Sequence, residues 1–236
     1  DYLLARGIIQ QYITTMTVQI PEDHTERDED VQAEDIRVSS GSATQDSSIL
    51  LNEVKKVYGT GKYAVKGVSL GIPIGECFGL LGVNGAGKTS LLSILSGQNT
   101  PTAGTITLGG YDLFSNLHRC RQNIGYCPQF DALFDLLSAR QHLTLYAKMK
   151  GIKPKDIAKE VEAKLTEMGL TEYADRNSSG YSGGTKRKLS VAMAMLGEPS
   201  LIFLDEPSTG MDPMARRFMW DVISDIVTER EKCCLR

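Results

Sequence analysis

Residues 82–89 read GVNGAGKT, which fits the spacing G-x-x-x-x-G-K-[ST] of a phosphate-cradling loop. Gly82, Gly85 and Gly87 let the backbone turn tightly, and their N–H groups can approach an anion with no Cβ in the way. The apolar residues from 88 to 95 recur at helical spacing and are closed by Gly97. A helix starting near Lys88 therefore directs its positive end at the same anion. Lys88 would reach the β- and γ-phosphates of a nucleoside triphosphate, and the Thr89 hydroxyl would ligate Mg²⁺. Far along the chain, the apolar run Leu201, Ile202, Phe203, Leu204 ends in Asp205 and Glu206. Side chains alternate along a strand, so four apolar residues in a row imply burial on both faces of a parallel sheet. The two acids then emerge at the carboxyl edge, where open α/β sheets bind ligands. Asp205 suits Mg²⁺ coordination through water, and Glu206 suits orienting or deprotonating an attacking water. A second glycine cluster, Tyr181, Ser182, Gly183, Gly184 and Thr185, opens another helical stretch and forms a second anion site of helix-terminus type.

Positioning these groups takes strands and helices in alternation. Strands are predicted at 49–54, 65–74, 76–81, 105–108, 124–127 and 201–204. Helices are predicted at 88–95, 138–150, 155–168, 185–196 and 213–229, the last with Pro213 in its first turn. That order specifies an α/β fold with a helical insertion. Residues 1–48 differ in kind. The stretch 21–35 is strongly acidic and 39–48 is small and polar, so both are expected to be a solvated, disordered linker.

Composition narrows the function classes. The 236 residues carry a formal charge of −3, which supplies no basic field for nucleic acid. No apolar run approaches the roughly 20 residues needed to span a bilayer. The five cysteines lack C-x-x-C pairing, which argues for reduced thiols over a disulfide framework or a zinc site. The chain lacks signal-peptide features and does not begin with Met, as a piece of a longer chain would.

The phosphate loop, the YSGGT helix start, the LIFLDE strand and the following PSTGMD occur in the order seen in ABC transporter ATPase domains, which this chain resembles. The phrases GECFGLLGVN (75–84), IGYCPQFDA (124–132) and MDPMARR (211–217) resemble the A subfamily, largely lipid-moving full transporters, and its second cassette in particular. The resemblance covers 49–236 and implies a P-loop NTPase with a RecA-like core, an antiparallel β-subdomain and a helical subdomain at about 130–190. It implies ATP and Mg²⁺ as ligands. The nucleotide would be held by Tyr58, stacking on adenine, with Gly82, Asn84, Gly85, Ala86, Gly87, Lys88, Thr89 and Ser90. Tyr63 is the alternative aromatic. Catalysis would rest on Glu206, Gln129 and Lys88, and the metal on Thr89, Gln129 and Asp205. Ser182, Gly183 and Gly184 would bind the ATP of a partner cassette, and Asp212 would belong to the bridging D-loop. Phe130, Leu133, Phe134 and Leu136 line either the groove for a transmembrane domain, near Gln129, or the helical-subdomain core. The resemblance implies a place on the cytoplasmic face of a membrane.

Tyr181 and Thr185 depart from the family's Leu and Gln. The chain ends where the family places a further strand and a switch histidine; His24, His118 and His142 all precede Asp205 and cannot serve. A missing C-terminal strand and switch region are therefore expected. Two alternatives to a transport ATPase follow: a cassette that binds nucleotide but hydrolyses it poorly, and a soluble ABC-type ATPase.

Overall fold

The computed structural model describes residues 28–43, 47–59, 61–230 and 233–235. Two sheets organise it. An antiparallel sheet has the order β2-β1-β4-β5, built from β1 (Ser47–Val57), β2 (Tyr63–Pro73), β4 (Ala103–Leu108) and β5 (Tyr111–Asp112). A parallel sheet has the order β3-β8-β7-β6, built from β3 (Cys77–Phe78), β6 (Ile124–Cys127), β7 (Leu201–Leu204) and β8 (Cys233–Leu235).

β7 explains how the two halves share one wall. Leu201 and Phe203 point into a core with β1, β2, β4 and helix α2 (Lys88–Leu95), while Ile202 and Leu204 point into the core of the helical part. All four are buried, as the uninterrupted apolar run predicts. The neighbouring β6 divides in the same way, with Ile124 on one side and Cys127 on the other. A strand that is apolar on both faces can sit only between two packed layers.

The helical part comprises α4 (Ala139–Met149), α5 (Pro154–Glu167) and α6 (Gly183–Ala194). Ser138 caps α4 through a reciprocal box with Gln141, and Pro154 occupies the first turn of α5. The last long helix is α7 (Pro213–Arg230). Helix α3 (Leu117–Asn123) and strand β5 are additions to the predicted set, both too short to carry a periodic signal.

Strand β3 is shorter than the predicted 76–81, and two regions differ more deeply from the sequence expectation. Helix α1 (Glu29–Ser39) and strand β1 from Ser47 fold part of the stretch expected to be a linker over 1–48; residues 1–27 and 44–46 lie outside the described residues. Average polarity hid the helix because a few contacts hold it. Val38 and Ala43 are buried. Glu34 and Arg37, paired at 2.7 Å, together take both backbone groups of Gly71: Glu34 accepts from its N–H at 2.8 Å and Arg37 Nη2 donates to its carbonyl at 2.7 Å. Gly71 lies on the edge strand β2, so the ion pair satisfies peptide groups the sheet leaves open. The second correction concerns the C-terminus. Cys233–Leu235 forms strand β8, paired in parallel with β7 and with β3, where a missing strand was expected. Three residues suffice because β8 fills a slot already bounded on both sides.

Candidate functional site

The phosphate loop is shaped by its glycines. Gly85 and Gly87 take φ of +87° and +95°, in the left-handed region. Gly87 caps α2 by accepting the N–H of Leu91 at 2.9 Å, and the loop closes through Ala86 N–H to the Val83 carbonyl at 3.1 Å. Lys88 Nζ folds over this loop, donating to the carbonyls of Gly82 at 2.6 Å and Val83 at 3.1 Å.

The acids stand beside it. Gly82, Asn84, Lys88, Asp205 and Glu206 line one cleft of about 420 Å³. A contiguous cleft of about 350 Å³ is lined by Tyr58, Gly85, Gly87, Thr89, Ser90 and again Lys88 and Glu206. Lys88 and both acids, far apart in sequence, thus line the same cleft. Tyr58 is partly exposed, with its hydroxyl 3.4 Å from Ser90 Oγ and Lys56 Nζ 5.3 Å from its ring centroid. The alternative, Tyr63, begins β2 and buries its hydroxyl without a partner.

Asp205 is buried, and its Oδ2 finds no hydrogen-bond partner. Burial, then the neighbouring Glu206 charge, push its carboxyl above the usual aspartate range, against weaker pulls from Arg187 and Lys88. An orphaned carboxylate oxygen beside a cleft that Lys88 also lines fits a divalent cation. Among the described residues no three His, Cys, Asp or Glu side chains form a metal cage, so such a cation would draw most ligands from phosphate and water. A folded-state pKa raised above the unfolded one lowers stability once pH passes the ordinary carboxylate value. Asp205→Asn is therefore expected to raise the thermal midpoint of the nucleotide-free protein at pH 7.5, by about 2–4 °C for each kcal/mol relieved. The gain should vanish in acid, where Asp205 is neutral too; a lower midpoint at pH 7.5 contradicts the assignment.

Glu206 adopts φ of +49°, a left-handed conformation sparsely populated by non-glycine residues. Its Oε2 accepts from Thr209 Oγ1 at 2.9 Å and from Gln129 Nε2 at 3.3 Å, which brings residues 77 apart into contact. Thr209 is one partner the sequence reading missed, although it lies in the PSTGMD phrase. Arg187 is another. It sits in the second turn of α6, 3% exposed, and its guanidinium reaches the backbone beside both Gln129 and Glu206. A lysine- and arginine-rich helix turn gives no signal that one cation points inward.

The second glycine cluster stands apart, since Ser182, Gly183 and Gly184 line neither cleft. Ser182 caps α6 by accepting the N–H of Thr185 at 3.1 Å, and Gly183 and Gly184 open the helix. A Cβ at Gly183 would meet nothing within 4 Å, so this chain's own packing does not require glycine there. Tyr181 is buried; its hydroxyl donates to the Tyr173 carbonyl at 2.5 Å and accepts from Ala139 N–H at 3.1 Å. Asp212 Oδ1 accepts from the N–H groups of Met214 and Ala215, both at 3.0 Å, and caps α7. The apolar group near Gln129 divides: Leu133 packs on the helical core, while Phe130 and Leu136 are 80% and 81% exposed and Phe134 stacks on His142.

Residues 65–209, more than half of the chain, match the family described as ABC transporter. The chain belongs to that family. Over 231 residues, 97% of the chain, this cassette is 47% identical to the retinal-specific phospholipid-transporting ATPase ABCA4 of Homo sapiens, of which it spans 10%. It is 48% identical over 205 residues, 86% of the chain, to ATP-binding cassette sub-family A member 7 of Mus musculus, of which it spans 9%. Its fold matches the ATP-binding cassette MJ0796 in a dimeric post-hydrolysis state bound to ADP and Pi, with a TM-score of 0.73, 25% identity, and coverage of 79% of this chain and 86% of that one. It also matches cbiO1 from Clostridium perfringens, part of the ABC transporter complex cbiONQ, with a TM-score of 0.73, 26% identity, and coverage of 81% and 78%. No helix among the described residues of the cassette is long and apolar enough to cross a membrane.

Proposed function

We propose that this cassette binds and hydrolyses Mg-ATP to drive lipid movement by a larger A-subfamily transporter, working at the cytoplasmic face of a membrane. The observation that carries the proposal is the single cleft that holds Lys88, Asp205 and Glu206 together, with Gln129 bonded to Glu206. The loop amides at 82–90 and the α2 terminus hold the phosphates, with Lys88 on the β- and γ-groups. Tyr58 stacks on adenine. Thr89, Asp205 and Gln129 would hold Mg²⁺, whose charge would offset that of the phosphate groups. Glu206 and Gln129 orient the attacking water, and Glu206 takes its proton.

The second cassette of the transporter completes each site. Open space at Gly183 supports a partner phosphate docking on Ser182, Gly183 and Gly184, with Asp212 in the loop between cassettes. Exposed Phe130, next to Gln129 in sequence, and exposed Leu136 support contact with a transmembrane domain. The lipid substrate is taken from the relatives' names, and the net charge of −3 supports a protein that does not bind nucleic acid.

The full-length protein in phospholipid vesicles tests this. A labelled phospholipid should change leaflet only with Mg-ATP, and Glu206→Gln should stop it. Turnover without lipid movement would remove the lipid substrate and leave the ATPase reading standing.

A further inference from the structure

Arg187 makes five hydrogen bonds, and none reaches a nucleotide position. Nε donates to the Pro207 carbonyl at 3.3 Å and Nη2 to the Asp205 carbonyl. Nη1 donates to the carbonyls of Pro128 at 2.5 Å and Gln129 at 3.3 Å, and to Asp131 Oδ1 at 3.2 Å. Ser190, one turn further along α6, donates to the same Asp131 oxygen at 2.8 Å.

The carbonyls it holds are significant. Asp205 and Pro207 flank Glu206, whose backbone sits at φ +49° and needs its surroundings to keep it there. Gln129, preceded by Pro128, carries the side-chain amide that meets Glu206 at 3.3 Å. One planar fork therefore clamps the backbones on both sides of the Gln129–Glu206 contact. It does so from α6, the helix whose first residues are the Ser182–Gly184 anion site. A lysine in that place would keep the charge but present one nitrogen instead of three.

We propose that Arg187 is a positioning residue that sets the Gln129–Glu206 geometry and ties it to the helix carrying the partner-facing anion site. Phosphate seated at Ser182–Gly184 loads α6, and Arg187 passes that load to the backbone of Glu206. The proposal rests on the reading of Glu206 and Gln129 as the residues that act on water.

Steady-state Mg-ATP turnover and thermal midpoints of the full-length protein test it, using Arg187→Lys, Gln129→Ala, their combination, Asp131→Asn and Glu206→Gln. Arg187→Lys should lower kcat about tenfold or more while KM for ATP stays within about threefold, the mark of an interaction lost in the transition state. Combining it with Gln129→Ala should add less than about twofold, because both act on one contact. A folded Arg187→Lys protein with kcat within twofold of the parent, or effects that multiply, would overturn the proposal. If Arg187→Lys does not fold, Asp131→Asn carries the test: it keeps shape and loses one ionic contact. It should lower kcat about threefold at constant KM, and unchanged kcat overturns the proposal. Glu206→Gln separates the two readings. If it abolishes turnover while the Arg187 and Asp131 variants leave kcat unchanged, only the positioning role falls; if it leaves turnover intact, both fall.

Discussion

Glu206→Gln is expected to lower Mg-ATP turnover by about 10²–10⁴-fold, the usual contribution of a positioned general base, while leaving nucleotide binding in place. The carboxylate oxygen that meets Gln129 also accepts from Thr209, and an amide oxygen can still accept from a hydroxyl. The substitution therefore keeps shape and removes one capacity, taking a proton from water. Lys88 and the loop amides are untouched, so ATP should still bind. The blocked state should accumulate as ATP-bound paired cassettes. Single-turnover hydrolysis, measured beside equilibrium binding of ATP, separates the outcomes. Unchanged hydrolysis would show that another group activates the water. Binding lost in parallel with hydrolysis would give Glu206 a ligand-holding role instead.

Gly87→Ala is expected to weaken ATP binding by about 30-fold or more, and to do so through the backbone. Gly87 has φ of +95°, and a left-handed alanine costs roughly 1–2 kcal/mol. An added Cβ would also stand 2.1 Å from the Ala64 carbonyl oxygen, a main-chain atom on β2 that cannot rotate aside. The loop must then move away from β2 or flatten, and either movement turns its N–H groups from the anion. Titrating a fluorescent ATP analogue against both proteins gives the ratio. Gly85→Ala is the informative comparison. Its φ of +87° imposes similar strain, but nothing lies within 4 Å of its Cβ, so its loss should be the smaller. Equal losses at the two positions would mean that strain alone, without the β2 contact, decides the effect.

Both residues lie in stretches that could be read from the chain alone. The loop at 82–89 announces itself, because a glycine-rich turn followed by Lys-Thr and a helical pattern is a local arrangement whose chemistry needs only neighbours in sequence. The LIFLDE run behaves likewise: four apolar residues require two buried faces, and β7 has them. Helix α2 and strands β6 and β7 have the predicted bounds for the same reason. Helix α1 was read as linker because its side chains are mostly polar. Its ion pair grips Gly71, 34 and 37 residues away, and no local pattern encodes that grip. Strand β8 is expected to be missing because the chain ends where the resemblance places it; three residues nevertheless pair there, in the gap between β3 and β7.

By itself, then, the order of residues determined the local chemistry: an anion loop, a capped glycine helix, two acids at a strand end, and a wall apolar on both sides. Only the tertiary structure decided which distant groups meet. It brought Gln129 against Glu206, left one oxygen of Asp205 without a partner, and turned Arg187 inward to hold the backbone of both loops. The physical reason is range. Backbone conformation, helix dipoles and strand alternation act over a few residues, whereas a buried guanidinium finds its carbonyls only after the sheet has brought them within 3 Å or so.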